Sequence, residues 1–298
     1  MKRVITAAVL IPLVLVAVFR APLWLFTAIA GLVALLAMRE YLDLVAAYGA
    51  NPFRAVVLGF TSLSFAFLAA ANSSREEWNT VASGVALGAY LGTPLLLLML
   101  ALRRQDLRSA LPDVALASFA LPYVALPVAL VVGIRAFPAG WFFVLLLFLA
   151  VWTGDIAAYY VGSNFGKHRM SPVISPKKTW EGAVASVVAS VVVALILSLK
   201  GPGVQAWLGS VGLLMDASGN LRVPALWVPV VLGVGINIAA QLGDLVESLI
   251  KRGAGVKDSG SSLPGHGGML DRIDALLLAS PAAVVLFGLT LNQFLVPS

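Results

Sequence analysis

The sequence predicts an all-α integral membrane protein, a polytopic bundle of about nine transmembrane helices with its N-terminus in the cytoplasm. Three observations carry that prediction. Of 298 residues, 60% are hydrophobic and only 11% charged. A globular protein carries roughly 25% charged residues, so about half the charge needed to coat a water-facing surface is absent. Nine apolar runs approach or exceed the roughly 20 residues that a helix needs to cross a ~30 Å hydrocarbon core. Finally, the basic residues sort onto alternate sides of those runs, as cytoplasmic enrichment of Lys and Arg requires. The hydropathy excludes a disordered chain. The absence of Cys excludes a disulfide scaffold or a thiolate centre.

The runs cover 4–19, 22–38, 55–72, 80–102, 113–133, 141–161, 181–199, 224–247 and 275–296. The first follows Met1-Lys2-Arg3 as a signal peptide would. No small-x-small cleavage site follows, and the chain passes through Arg20 straight into the second run, so the segment reads as a retained anchor. Both runs are short and are split only by Arg20, Ala21 and Pro22, which suits a tight helical hairpin. The third, fourth and fifth are joined by short loops with few ionisable groups. The sixth to ninth carry or flank nearly all the polar motifs. This contrast divides the chain into an N-terminal transmembrane scaffold, 1–140, and a C-terminal transmembrane catalytic region, 141–298.

Sorting the cations tests the nine-span topology. Lys2, Arg3, Arg39, Arg54, Arg103, Arg104, Arg108, Lys167, Arg169, Lys177, Lys178, Lys251, Arg252, Lys257 and Arg272 fall on the N-terminal side. Arg20, Arg75, Arg135, Lys200 and Arg222 fall on the other, accounting for all 20. The net charge of +6 is therefore mostly topology, and no nucleic-acid partner is expected.

Ionisable residues inside a span cost roughly 2.5–3.5 kcal/mol each on insertion scales and mark function more often than packing. Asp155 stands fourteen residues into the sixth span, about 21 Å from Trp141 at 1.5 Å per residue. Its bland alternative is a cap on a helix break beside Gly154. In the eighth span Asn237, Gln241, Asp244 and Ser248 share one helical face, with Glu247 one turn past Asp244. Interhelical hydrogen bonding would explain the amides, at about 1 kcal/mol per contact. Carboxylates need a cation or a metal. Asp271 and Asp274 lie one turn apart at the start of the ninth span, where the helix dipole favours negative charge. Carboxylates from two spans beside Gly267 and Gly268 suit Mg²⁺, which prefers one or two carboxylates plus substrate phosphate oxygens.

Two basic, glycine-containing stretches lie close to these acids. One is Lys251-Arg252-Gly-Ala-Gly-Val-Lys257-Asp258; the other is Ser175-Pro176-Lys177-Lys178-Thr179-Trp180-Glu181-Gly182, just before the seventh span. Such stretches meeting a helix start favour phosphate. A P-loop is absent, because Gly162-x3-Gly166-Lys167 is one residue short and is followed by His168. His168 reads as a loop histidine, whereas His266, flanked by glycines, reads as a site member. Neither has the partners of a Ser-His-Asp triad.

The stretch Ser248-Leu-Ile-Lys251-Arg252-x4-Lys257-Asp258-x-Gly260-x2-Leu263-Pro264-x-His266-Gly267-Gly268-Met269-x-Asp271-Arg272-Ile273-Asp274 resembles the signature of the phosphatidate cytidylyltransferases, or CDP-diacylglycerol synthases. Gly154-Asp155-x3-Tyr159-x2-Gly162-x2-Phe165-Gly166-Lys167 and the SPKKTWEG stretch resemble the same family. Together they cover roughly 150–280. The resemblance implies a membrane nucleotidyltransferase of phospholipid biosynthesis, which transfers CMP from CTP to phosphatidate and gives CDP-diacylglycerol and pyrophosphate. It also implies a homodimer. It places metal on Asp244, Asp271 and Asp274, as Mg²⁺ with a second, monovalent ion, and adds Lys251, Arg252, Lys257 and His266 to the catalytic set. Ser175, Lys177, Lys178 and Thr179 become nucleotide-phosphate contacts, and Asp155, Asp258, Gly267 and Gly268 further substrate-binding positions. A bacterial inner membrane with a cytoplasmic active site is the expected location. A transporter or channel with a buried acidic site is the alternative of another class, and it lacks internal repeats.

Overall fold

The computed structural model describes residues 12–72, 76–214, 219–262 and 267–296. Along them run helices α1 (12–20), α2 (Leu23–Ala47), α3 (Arg54–Ala71) and α4 (Glu76–Ala101). Next, α5 (Leu107–Ala120) passes through a π-helical turn at Leu121–Ala125 into α6 (Leu126–Arg135). Then come α7 (Gly140–Phe165), the strands β1 (Arg169–Ser171) and β2 (Ser175–Thr179), α8 (Trp180–Ser210), α9 (Trp227–Gly253) and α10 (Leu270–Phe294).

Among the described residues seven helices are long and apolar enough to cross a bilayer: α2, α3, α5 with α6, α7, α8, α9 and α10. The fourth expected span is represented by the shorter apolar stretch Tyr90–Ala101. The first falls on α1, and its part before residue 12 lies outside the described residues. The chain is a helical integral membrane protein with the expected order of spans.

The ends move where apolar counting and helical periodicity disagree. The second span runs to Ala47, well beyond 38, because Glu40, Tyr41, Leu42, Leu44 and Val45 continue a buried face past Arg39. The seventh continues through Pro202 to Ser210, and the fifth bends through a π-helical turn. Pro122 has no N–H for an i→i−4 bond and crowds the preceding turn. The wider turn is closed by Leu126 N donating to Leu121 O.

One element was not expected. The SPKKT stretch is strand β2, antiparallel to β1 with Arg169 opposite Thr179 and Ser171 opposite Ser175. Pairing satisfies backbone groups that an open loop would leave to water. Trp180 N then donates to His168 O at 2.9 Å, closing the hairpin onto the start of α8.

The chain sorts into two compact units. The first contains Ala21–Val132 and Ile250–Ile273. Its core holds Tyr41 against Tyr123 and Phe119, and the Tyr41 hydroxyl donates to Leu116 O at 3.1 Å. Asp113, almost fully buried, accepts from Arg104 at 2.6 Å and from Asn51 N at 2.9 Å.

The second unit contains Pro12–Arg20, Gly133–Leu249 and Asp274–Ser298. Phe142, Phe143, Phe287 and Phe294 pack tilted or edge-on in its core, with Phe143 and Phe287 centroids 4.9 Å apart. Buried Arg135 donates through Nε to Val18 O at 2.9 Å. Close helix approach in a membrane depends on small residues, since lipid supplies no hydrophobic drive between helices. Gly233 of α9 shows this, because a Cβ there would stand 2.6 Å from Val191 Cα on α8.

Gly233→Leu is therefore expected to separate α8 from α9, lowering the detergent melting temperature and breaking up the monodisperse size-exclusion peak. Gly288→Leu is the control, since a Cβ at Gly288 meets nothing within 4 Å. Equal behaviour of the two variants would disprove the packing argument.

Candidate active site

The predicted site residues fall in two local clusters, each described within its own unit. In the second unit, the hairpin brings Lys178 Nζ within 2.6 Å of Asp244 Oδ2 on α9, both side chains being partly exposed. Asp155 on α7 lies near enough to both to share their electrostatic field. Lys178 is partly buried there, whereas Lys177 stays exposed. Ser248 donates to Asp244 Oδ1 at 3.4 Å from the next turn. Ser175 opens β2 and is half-buried.

Thr179, expected among the phosphate contacts, is buried and caps α8, its Oγ1 accepting from Gly182 N at 3.2 Å. His168 and Glu181 pair at 2.6 Å between Nδ1 and Oε1 in an exposed position. That is the loop role expected of His168.

The polar face of α9 divides in two. Asn237, only 1% exposed, donates through Nδ2 to Ser186 Oγ and Ser190 Oγ of α8, both at 2.8 Å. Gln241 donates to Asn237 Oδ1 at 2.6 Å and to Ala183 O at 3.1 Å. These amides join helices. Asp244, one turn further, carries the charge that meets Lys178. Glu247 is fully buried.

In the first unit, Lys251 ends α9 and Asp271 begins α10, and Lys251 Nζ lies 2.7 Å from Asp271 Oδ1. The pair is 12% and 8% exposed. Asp271 also accepts from Ser259 N at 3.1 Å and Gly268 N at 2.8 Å, both through Oδ2. It thereby ties the start of its own helix to the preceding loop. The other end of that loop is a Schellman-type stop: Val256 N donates to Lys251 O at 3.0 Å, and Gly255 adopts φ +74°. Arg252 donates to Val256 O at 3.1 Å. Lys257 and Asp258 are exposed. Gly267 has φ +81°, a conformation that disfavours any side chain. Asp274 is half-buried one turn into α10, in the second unit. His266 lies outside the described residues.

Sequence reasoning missed Glu40. This acid on α2, 3% exposed, accepts four hydrogen bonds from the loop between α9 and α10. The available signal was the buried periodicity around it, which apolar counting broke off at Arg39.

Among the described residues no three His, Asp or Glu side chains form a metal-holding group. The donor chemistry nevertheless fits Mg²⁺. Asp244 and Asp271 offer hard carboxylate oxygens, each now matched to an ammonium, and Mg²⁺ commonly takes one or two carboxylates and completes its shell with substrate phosphates and water.

The family described as the cytidylyltransferase family matches residues 1–290. The chain belongs to the cytidylyltransferase family. A relative from Staphylococcus haemolyticus (strain JCSC1435), named phosphatidate cytidylyltransferase, is 31% identical over 258 residues, 86% of this chain and 87% of the relative. One of the same name from Brucella suis biovar 1 (strain 1330) is 40% identical over 161 residues, 54% of this chain and 52% of the relative. A third, from Mycobacterium tuberculosis (strain ATCC 25618 / H37Rv), is 38% identical over 151 residues, 51% of this chain and 39% of the relative. In matches such as the last two, the chain spans about half the length of its relative or less.

In this chain, Lys251→Met removes the ammonium that faces the largely buried Asp271 carboxylate. Breaking one side of such a pair costs on the order of 3 kcal/mol. Detergent unfolding is expected to show that loss, and Lys251→Met with Asp271→Asn is expected to recover part of it. A double variant no more stable than the single one would show that the pair is not coupled.

Proposed function

We propose that the chain is a membrane phosphatidate cytidylyltransferase, transferring CMP from CTP to phosphatidate to give CDP-diacylglycerol and pyrophosphate in phospholipid biosynthesis. The observation that carries the reading is the loop between α9 and α10. In a chain of the cytidylyltransferase family, it pairs Lys251 with Asp271 beside backbone N–H groups, a small anion-and-cation site at the junction of two apolar helices. The names of the relatives supply the substrate class. The family match gives no support to a transporter or channel.

The chemistry follows from charge. A phosphate oxygen of phosphatidate attacks the α-phosphorus of CTP in line. The bond from that phosphorus to the bridging oxygen of the β-phosphate breaks, and pyrophosphate leaves with the electron pair. Phosphatidate is already ionised near neutral pH, so no strong base is needed. The barrier is repulsion between two anions, which positioned cations offset. Lys177 and Lys178 on the hairpin, with Lys251, Arg252 and Lys257 around the end of α9, neutralise the triphosphate. Ser175, Thr179, Asp155, Asp258, Gly267, Gly268 and His266 complete the proposed substrate surroundings. Thr179 acts there by fixing the hairpin to α8.

Asp244, Asp271 and Asp274 would hold Mg²⁺, with a second, monovalent ion. Held there, the ion would supply positive charge against the negative charge of the reacting phosphates. A homodimer in a bacterial inner membrane, with the site facing the cytoplasm, completes the proposal. The bias of basic residues toward one side of the spans supports that orientation.

The direct test incubates purified protein in detergent with labelled CTP, phosphatidate and Mg²⁺ and looks for a lipid-soluble cytidine product. Folded Asp271→Asn or Asp244→Asn is expected to abolish it, and full activity in either variant would remove that residue from the site. Lys177→Ala with Lys178→Ala is expected to raise KM for CTP about tenfold, the scale of losing roughly 1.4 kcal/mol of charge-assisted contact. An unchanged KM would move the nucleotide elsewhere.

A further inference from the structure

Glu40 has no part in the chemistry above, yet described residues on both sides of 263–266 meet on its carboxylate. Ser259 Oγ donates to its Oε2 at 2.9 Å and Leu270 N to the same oxygen at 2.8 Å. Met269 N donates to Oε1 at 2.9 Å, and Ser262 Oγ donates to that oxygen as well. Two donors from the early part of the loop and two from the start of α10 therefore meet on one carboxylate that comes from a helix more than 200 residues earlier.

A helix start can be capped locally by Ser, Thr, Asp or Asn. A buried acid from a distant helix is a costly substitute, because its charge must be removed from water and every lone pair then needs a donor. What distinguishes Glu40 from a local cap is reach, for it holds Ser259 and Ser262 within the loop and the start of α10 at once. Its effect passes directly to Asp271. Ser259, which donates to Glu40, also accepts from Asp271 N at 3.3 Å and donates its own N–H to the Asp271 carboxylate at 3.1 Å.

The loop's glycines fit the same account. A Cβ on Gly260 would stand 2.9 Å from the Glu40 carboxyl carbon and Oε1, and one on Gly268 would run into Glu40 and Ser259 Oγ. Both positions make room for this carboxylate.

We propose that Glu40 is a positioning residue for nucleotidyl transfer: by clamping the α9–α10 loop it sets the orientation of Asp271 and, through that acid, of Lys251. The proposal rests on the reading under Proposed function. Its test measures kcat, KM for CTP and the Mg²⁺ concentration for half-maximal rate in detergent-purified wild type, Glu40→Gln, Ser259→Ala and Tyr41→Phe. Glutamine keeps the shape of Glu40 but replaces one acceptor oxygen with an N–H donor facing other donors. Tyr41→Phe removes a neighbouring buried hydrogen bond of α2 and serves as the packing control.

Loss of a residue that orients a metal ligand typically costs about 10–100-fold. Glu40→Gln is expected to lower kcat by about tenfold or more and to raise the half-maximal Mg²⁺ concentration on the same scale, with KM for CTP within about twofold of wild type. Ser259→Ala is expected to move the same two quantities in the same direction, and Tyr41→Phe to change the melting temperature alone. Wild-type kcat and Mg²⁺ response in Glu40→Gln would overturn the proposal. If that variant yields no folded protein, wild-type values in Ser259→Ala would overturn it equally. An inactive wild type is a different result, since it removes the functional reading itself.

Discussion

Hydrocarbon cannot hydrogen-bond, and most of this structure follows from that constraint. A buried polar group on a spanning helix is therefore costly unless it finds a partner in protein. The hydroxyls of Thr27, Thr61, Thr153 and Thr290 donate back to the carbonyl four residues earlier on their own helices. Arg135 reaches Val18 O, and the Tyr90 hydroxyl donates to Leu121 O. Asn237 and Gln241 fasten α9 to α8. Such groups are satisfied by neutral partners and have little reason to exchange them. Acids are different, because a carboxylate only accepts, and neutral N–H or O–H donors such as those around Glu40 leave its charge in place.

The ion pairs follow the same constraint. Lys178 meets Asp244 and Lys251 meets Asp271, each within one unit and each at a helix end or hairpin. Burial makes the Lys251–Asp271 pair expensive relative to an apolar replacement, so its presence argues for something besides stability. Under the proposed function the expense is explained. A lysine matched to a carboxylate can exchange that partner for a phosphate at little electrostatic cost, and the carboxylate is then left facing a site that favours cations. The protein keeps both signs of charge in place before a highly charged substrate arrives, so less reorganisation accompanies binding.

Composition made the spans legible, since a 298-residue chain with 11% charge leaves few alternatives. The order of the helices and the positions of most ends followed from apolar length alone. The hairpin did not, because strands of three and five residues lie below what period-two alternation can reveal. The eighth span shows a second limit. Asn237, Gln241, Asp244 and Ser248 share a face by spacing, and spacing treats them alike. The structure separates them by what stands opposite: serines of α8 for the first, a lysine of the hairpin for the third.

Glu40 shows why a sequence signature and the structure supporting it need not coincide. A motif read along 248–274 exposes acids, lysines and glycines, but not the side chain around which the glycines close. Gly268 reads there as a substrate-binding position beside the acids, and Gly260 only as part of the motif. In the structure the group beside both is an acid from α2. The requirement for small residues in the loop is thus set from a part of the chain that hydrophobicity alone describes as scaffold. A carboxylate with donors on both oxygens is also a strict template. Lengthening or shortening the side chain by one methylene shifts four hydrogen bonds together, so the position tolerates less change than its place in an apolar helix implies.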